Sequence, residues 1–248
     1  IEYDSGGSMP STIYCIGMSS TSVGTLSGNL PGSTVNLLSG TYAATNLTTA
    51  LSTLIISLGV QVGTVTLQGG GLTVDGVVNS LSVSNDASAS ENEEDKIIIV
   101  INNTVINVDC QETNCTLTAG DGGKATSLET SAGATTIASG GEVESVVSSG
   151  NASVTVSSGA TVGSVEASGT GSVTVEDNAT VDAVSTSGDV TVSISENAQT
   201  SGGGAIPQLY IKLEDGTLPL DCESHSNLNV VVNSNVSWTC SIQENSTW

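Results

Sequence analysis

The carboxylates are the residues of this 248-residue chain with the widest chemical scope, because a pair of them flanking a glycosidic bond is the working unit of most sugar hydrolysis. Asp75, Asp109 and Asp121 are the candidates, but they share no position in the repeat described below. Enzymes that cleave sugar acids also need basic groups to bind or activate the substrate. Here there is no arginine, and the three lysines, Lys96, Lys124 and Lys212, are scattered over three regions. His225 is the lone histidine, in Glu223-Ser224-His225-Ser226, and no Ser/His/acid constellation forms around it. No catalytic residue is assigned and the chain reads as a non-enzyme. Metal chemistry is equally poorly supplied. Cys110-x4-Cys115 has no second pair at zinc-ligand spacing. Asp177 and Glu196 would stack one above the other, where two carboxylates about 5 Å apart repel by roughly 1 kcal/mol even in water. A calcium ion would relieve that repulsion, yet a pair of carboxylates falls short of the oxygens calcium takes. No metal site or cofactor is assigned, calcium being the one ion considered.

Cysteine and asparagine offer modification chemistry instead. Cys110 with Cys115, and Cys222 with Cys240, are the expected disulfides, which leaves Cys15 as a buried thiol or a crosslink to another chain. Asn-x-Ser/Thr sequons stand at Asn46, Asn102, Asn114, Asn151, Asn178, Asn235 and Asn245, and N-linked glycans are the expected adducts. Asn151 and Asn178 fall in expected turns, where a sugar projects without breaking a ladder. Asn178 has a competing role, an internal amide ladder with Asn197 one coil away.

Charge and composition narrow the partners. Three basic against 25 acidic residues give a formal charge of −22, which repels nucleic acid and anionic membranes. No phenylalanine, two tryptophans and four tyrosines leave a thin core, while 37% apolar residues argue against simple disorder. The most apolar runs, 54–58 and 97–101, are far below the roughly 20 residues of a spanning helix and read as strands. A first residue of Ile1 instead of methionine suits removal of a secretory signal. Together with the cysteines it points to an extracellular or cell-surface location.

The elements that position these groups follow from a repeat. Residues 143–199 divide into three lines of nineteen in which Val143, Val162 and Val181 coincide, as do Val146, Val165 and Val184. Val154, Val173 and Val192 align too, followed by Val156, Val175 and Ile194, and Ala160, Ala179 and Ala198 close the lines. Alternation in a strand turns Val154 and Val156 inward and Thr155 outward. Gly150, Gly169 and Gly188 mark turns too closely spaced to leave room for a helix. Each line is therefore one coil of a parallel β-solenoid, or β-helix. A looser version in the first half aligns Val35, Leu54 and Leu72, and Val65 with Leu81. Leu38-Ser39-Gly40-Thr41-Tyr42 resembles the opening common in right-handed parallel β-helices.

The expected organisation is an N-terminal strand or coupling segment at 1–20 and an all-β solenoid at 21–200, with an acidic loop at 85–96. Beyond a hinge at 201–204, a disulfide-closed antiparallel β-cap is expected at 205–248, with a hairpin turn at Asp215-Gly216. Residues 120–200, centred on SGGEVESVVSSGNASVTVSSGATVGSV, resemble the nineteen-residue passenger repeats of self-associating autotransporter adhesins of the AIDA type. That resemblance implies an adhesive extracellular solenoid. The sequence thus predicts a secreted structural glycoprotein, a rod that adheres or polymerises head to tail with itself. The alternative is a carbohydrate-active or carbohydrate-binding β-helix. A third idea, an ice-binding face on Thr155, Thr174 and Ser193, lacks the doubled Thr-x-Thr per coil that a flat lattice-matching surface requires.

Overall fold

The computed structural model describes residues 12–16, 23–28, 33–47, 53–67, 69–83, 97–111, 115–195, 197–201, 211–213, 217–220, 230–232 and 237–240, without the side chains of 23–28, 46–47 and the segments from 211 onward. Every regular element among them is a strand. In chain order these are β1 (Thr12–Ile16), β2 (Val23–Gly28), β3 (Thr34–Ser39), β4 (Thr41–Leu47), β5 (Thr53–Ile56) and β6 (Gln61–Leu67). Then come β7 (Gly71–Val74), β8 (Val77–Val83), β9 (Ile97–Ile101), β10 (Thr104–Cys110), β11 (Cys115–Ala119) and β12 (Lys124–Thr130). The regular repeat holds β13 (Ala134–Ile137), β14 (Glu142–Ser148), β15 (Ser153–Val156), β16 (Thr161–Gly169), β17 (Ser172–Val175), β18 (Thr180–Gly188) and β19 (Thr191–Ile194). The last four are β20 (Ile211–Leu213), β21 (Thr217–Leu220), β22 (Val230–Val232) and β23 (Ser237–Cys240).

Odd-numbered strands build a twelve-stranded parallel sheet, A, ordered from β1 to β23, and even-numbered strands from β2 to β18 build a nine-stranded parallel sheet, B. This is the solenoid the repeat predicts. Val154 pairs with Val173 and Val173 with Val192, so nineteen residues make one turn. Val143, Val162 and Val181 align in the same way in sheet B. The first-half columns also hold, Val35 to Leu54 to Leu72 in sheet A and Val65 to Leu81 in sheet B. Coils stack about 4.8 Å apart, and the inward columns are almost wholly aliphatic and buried.

Sheet B strands do not alternate throughout. In β12, Thr126 and Ser127 both face outward between the buried Ala125 and Leu128. The ladder skips the first of the two in each coil, passing over Ile106, Thr126, Glu144, Gly163 and Asp182. The strand bends there, so two sheets give three flat sides around a core one or two aliphatic side chains deep. A core this thin needs no aromatic volume, which explains the composition.

The corner leading from sheet A to sheet B is a four-residue turn closed by a backbone bond, for example Ala160 N–H to Ser157 O at 2.9 Å. Its third residue has positive φ: Gly140 at 79°, Gly159 at 80° and Asn178 at 59°. Glycine, or asparagine at a small cost, is what that conformation accepts. These third residues are themselves joined from coil to coil, Gly140 N–H to Gly159 O at 3.1 Å and Gly159 N–H to Asn178 O at 3.2 Å.

The acidic segment 85–96 lies outside the described residues, but its effect on the ladder is visible. Leu72 pairs with Ile99, a step of 27 residues, so the chain leaves after β8 and re-enters at β9 with the columns uninterrupted. Beyond residue 205 the expectation of an antiparallel hairpin is corrected. Strands β20 and β21 flank Asp215-Gly216 yet pair in parallel with β22 and β23 respectively, and β21 joins β19. Of the described strands of the cap, β21 and β23 lengthen sheet A, while β20 and β22 form a separate two-stranded parallel sheet.

Candidate functional site

Two stretches of surface gather the residues with chemical scope: the outer side of sheet B with its flanking corners, and the terminal strand β1.

On sheet B the outward positions of β10 to β18 carry Asp109, Lys124, Glu129, Glu142, Glu144, Glu166 and Asp182. Lys124 and Glu142 are paired neighbours in the ladder, and their side chains meet at 2.6 Å while both stay about half exposed. They border an open groove of about 460 Å³ lined also by Thr126, Glu144, Thr161 and Gly163. The pairing was legible in principle, since the two residues are one coil apart. Asp109 lies beside Glu129 in the ladder, and its Oδ1 is buried without a hydrogen-bond partner among the described residues.

The three aspartates weighed as carboxylates for sugar hydrolysis, Asp75, Asp109 and Asp121, are not brought together. Asp75 sits at the corner after β7, where its Oδ1 accepts from Asn102 Nδ2 and its carbonyl from Asn103 Nδ2, each at 2.9 Å. Asp109 is near the far end of β10, and Asp121 is exposed at the corner after β11. No cluster of three or more His, Cys, Asp or Glu able to hold a metal occurs among the described residues. Glu176, Asp177 and Asp182 are engaged by amides of the adjacent coil. Ser158 N–H donates to Glu176 Oε2 at 3.2 Å, Asn197 Nδ2 to Asp177 Oδ1 at 3.4 Å, and Ser201 N–H to Asp182 Oδ1 at 2.7 Å. Glu196, the other half of the calcium idea, lies outside the described residues. The internal ladder of Asn178 and Asn197 does not form: both side chains are exposed, because the left-handed turn residue points away from the core. Only their backbones join, Asn178 N–H to Asn197 O at 3.1 Å.

Among the sequons, Asn102, Asn151 and Asn178 are exposed at corners. Asn114, Asn235 and Asn245 lie outside the described residues, as does the side chain of Asn46. Cys110 and Cys115 form a disulfide across the corner between β10 and β11, with Cα atoms 6.5 Å apart and both residues buried. Cys222 and the side chain of Cys240 lie outside the described residues, as do His225, Lys96 and the side chain of Lys212.

At the other stretch, β1 ends sheet A and pairs on one side, with β3. Cys15 is buried in the Leu37 column and is in no disulfide among the described residues. Burial pushes its thiol above the ordinary range, and burial likewise raises Tyr42, the nearby thiolate adding to the effect. The Tyr42 hydroxyl donates to Ser39 O at 3.2 Å. Tyr14 and Ile16 are 64% and 69% exposed, far more than most apolar residues of the chain.

Sheet A carries one more pattern that the sequence reading missed. Thr118, Thr136, Thr155, Thr174 and Ser193 form one outward column, and Thr116, Ala134, Ser153, Ser172 and Thr191 form a second beside it. The hydroxyl face is therefore doubled, except at Ala134, once serine is counted with threonine.

Comparison with known proteins gives no matching family model, no matching curated protein and no matching solved structure. Among the described residues no helix is long and apolar enough to cross a membrane.

Proposed function

We propose that this chain is a structural protein of the cell exterior, a β-solenoid rod that assembles with itself or adheres, as its resemblance to autotransporter passenger repeats also implies. The observation that carries the reading is the continuous parallel ladder of sheet A ending in a strand whose outer edge has no partner among the described residues and whose Tyr14 and Ile16 face solvent. Strand edges of this kind pair with other molecules unless they are blocked. Secretion is supported by the Cys110–Cys115 disulfide, which persists in oxidising compartments. Exposed corner sequons at Asn102, Asn151 and Asn178 are placed where glycans would coat the rod and leave its ladders intact. Electron microscopy and light scattering of the purified chain test the reading. Rods or filaments growing with concentration are expected, and monomers over the whole accessible range would remove self-assembly. Intact-mass measurement before and after enzymatic deglycosylation of the native protein tests the coat.

A second reading has one specific observation in its favour. The two adjacent outward columns of sheet A carry hydroxyls from β11 to β19 at every position except Ala134, repeated at the spacing of the coils, so ice is the surface to try. Thermal hysteresis measured on the chain and on a Thr155→Lys variant decides it: no hysteresis in the parent discards this reading.

A further inference from the structure

The self-assembly reading leaves open which surfaces join, and the two ends of sheet A answer it. Because every pairing in the sheet is parallel, β1 and β23 have opposite edges, each without a partner among the described residues, on strands that run in the same direction. Two copies stacked head to tail would therefore present each other with the same geometry that β3 presents to β5 within one copy. Two copies stacked head to head would have to pair antiparallel, against the polarity of every ladder in the molecule.

The columns give the register. From Ile13 one ladder column runs through Val35, Leu54, Leu72, Ile99, Leu117, Thr135, Val154, Val173 and Val192, and its backbone register continues through Leu220 to Cys240. Thr239 precedes Cys240 in β23, as Thr12 precedes Ile13 in β1. Continuing the pattern by one strand sets Ile13 of the next copy against Cys240 and Thr12 against Thr239. We propose that β1 of one copy pairs in parallel with β23 of the next, Thr12 opposite Thr239, so that sheet A runs unbroken through a head-to-tail filament. The contact is heterologous and does not close on itself, so it propagates. It also accounts for the solvent-facing apolar residues of β1, which take up neighbours once the stack continues.

The proposal rests on the self-assembly reading, and one experiment separates the two. Paired strand positions bring Cα atoms within the span a disulfide bridges. The chain is made as Thr12→Cys plus Thr239→Cys, as each single variant, as the parent, and as Thr12→Cys plus Ser153→Cys, whose second site lies several strands away. All are oxidised mildly, separated without reductant and mapped by mass spectrometry. The expected result is a reducible ladder of multimers in the first variant alone, with linked peptides containing positions 12 and 239. Dimers in the Thr12→Cys single variant, linked through position 12 to itself, would show head-to-head pairing and overturn the proposal. Multimers by light scattering without a 12–239 link would also overturn it while the filament survives. Monomers in the parent at every concentration would overturn both.

Discussion

The two sheets enclose one core and share one repeat, yet their outer sides differ. From β3 to β19 the outward positions of sheet A that are described hold threonine, serine, asparagine, glycine, alanine, leucine, isoleucine and valine, with no charged side chain. Sheet B, over β10 to β18 alone, displays six carboxylates and one lysine. Folding does not require this segregation. The coil needs aliphatic residues inside and left-handed residues at its corners, and any small β-former serves outside. Adjacent carboxylates such as Asp109 and Glu129 oppose the stack, by roughly 1 kcal/mol per pair in water. The acids are thus kept off one side and concentrated on the other in a way that packing does not explain. In a chain of net charge −22, sheet A is the side on which a neutral surface meets least repulsion.

The sharpest test of the inside against the outside exchanges neighbours on one strand. Val173 is fully buried and Thr174 faces outward in β17. Val173→Asp places a carboxylate in the aliphatic stack and costs about 3 kcal/mol or more, the cost of an unpaired buried charge. Loss of the cooperative melt by circular dichroism is expected. Thr174→Asp keeps the fold, with a melting temperature within a few degrees of the parent. Equal damage from both would mean that the sheet is covered on both sides.

The corner gives an intermediate effect. Asn178 occupies the left-handed position that Gly159 and Gly140 hold one and two coils away. Asn178→Gly is expected to match the parent in stability or exceed it slightly, and Asn178→Ala to lose about 1 kcal/mol, the cost of holding a Cβ in that conformation. Urea denaturation measures the difference. Because both variants also remove the sequon, any shared change reports loss of the asparagine side chain together with the proposed glycan, and any difference between them reports the backbone.

The end of the solenoid is expected to respond to pH through Cys15 in β1 of sheet A and Tyr42 in β4 of sheet B. Cys15 and Tyr42 both titrate above their ordinary values of 9.0 and 10.0 because burial disfavours their charged forms. Groups raised in the folded state contribute stability that is complete below those values and is lost as pH climbs through the raised ones. The melting temperature should hold to about pH 8 and fall beyond pH 10. Cys15→Ala with Tyr42→Phe should flatten that fall. An unchanged alkaline slope in the double variant would assign the loss to other groups.

How much of this was legible in the sequence depends on whether a residue's role repeats. Val154, Val173 and Val192 reveal their common column because each coil says the same thing nineteen residues later, and so the solenoid was readable. Asp215-Gly216 occurs once, and a hairpin and a solenoid corner use the same turn residues. The strands beside it alternate in either case, so local chemistry could not show that β21 pairs with β19 and β23 in parallel. The second hydroxyl column was hidden by a narrow template, threonine alone, although Ser153 and Ser172 stand at the same position in successive coils. Asp75 and its amide donors Asn102 and Asn103 were beyond the repeat, since the acidic segment between them displaces the spacing to 27 residues and more.

The smallest expected effect sharpens the electrostatic side of the comparison. Lys124 is the one cation described on the outer side of sheet B, and it meets Glu142 in an exposed pair. Such pairs contribute at most about 1 kcal/mol, because water screens the attraction and ordering two flexible side chains costs entropy. Lys124→Gln removes the pair and leaves Glu142 beside Glu144 and the other acids, so it should destabilise by a few tenths of a kcal/mol more than deletion of an isolated pair. Lys124→Gln with Glu142→Gln removes the pair and one acid together, and should recover part of that loss. Both differences should shrink toward zero as salt is raised, since a Debye length of about 3 Å at 1 M falls below the spacing of the coils. A loss that persists in high salt would locate the role of Lys124 in its aliphatic stem, packed along the groove beside Thr126, and leave the acidic side without the energetic cost that distinguishes it from sheet A.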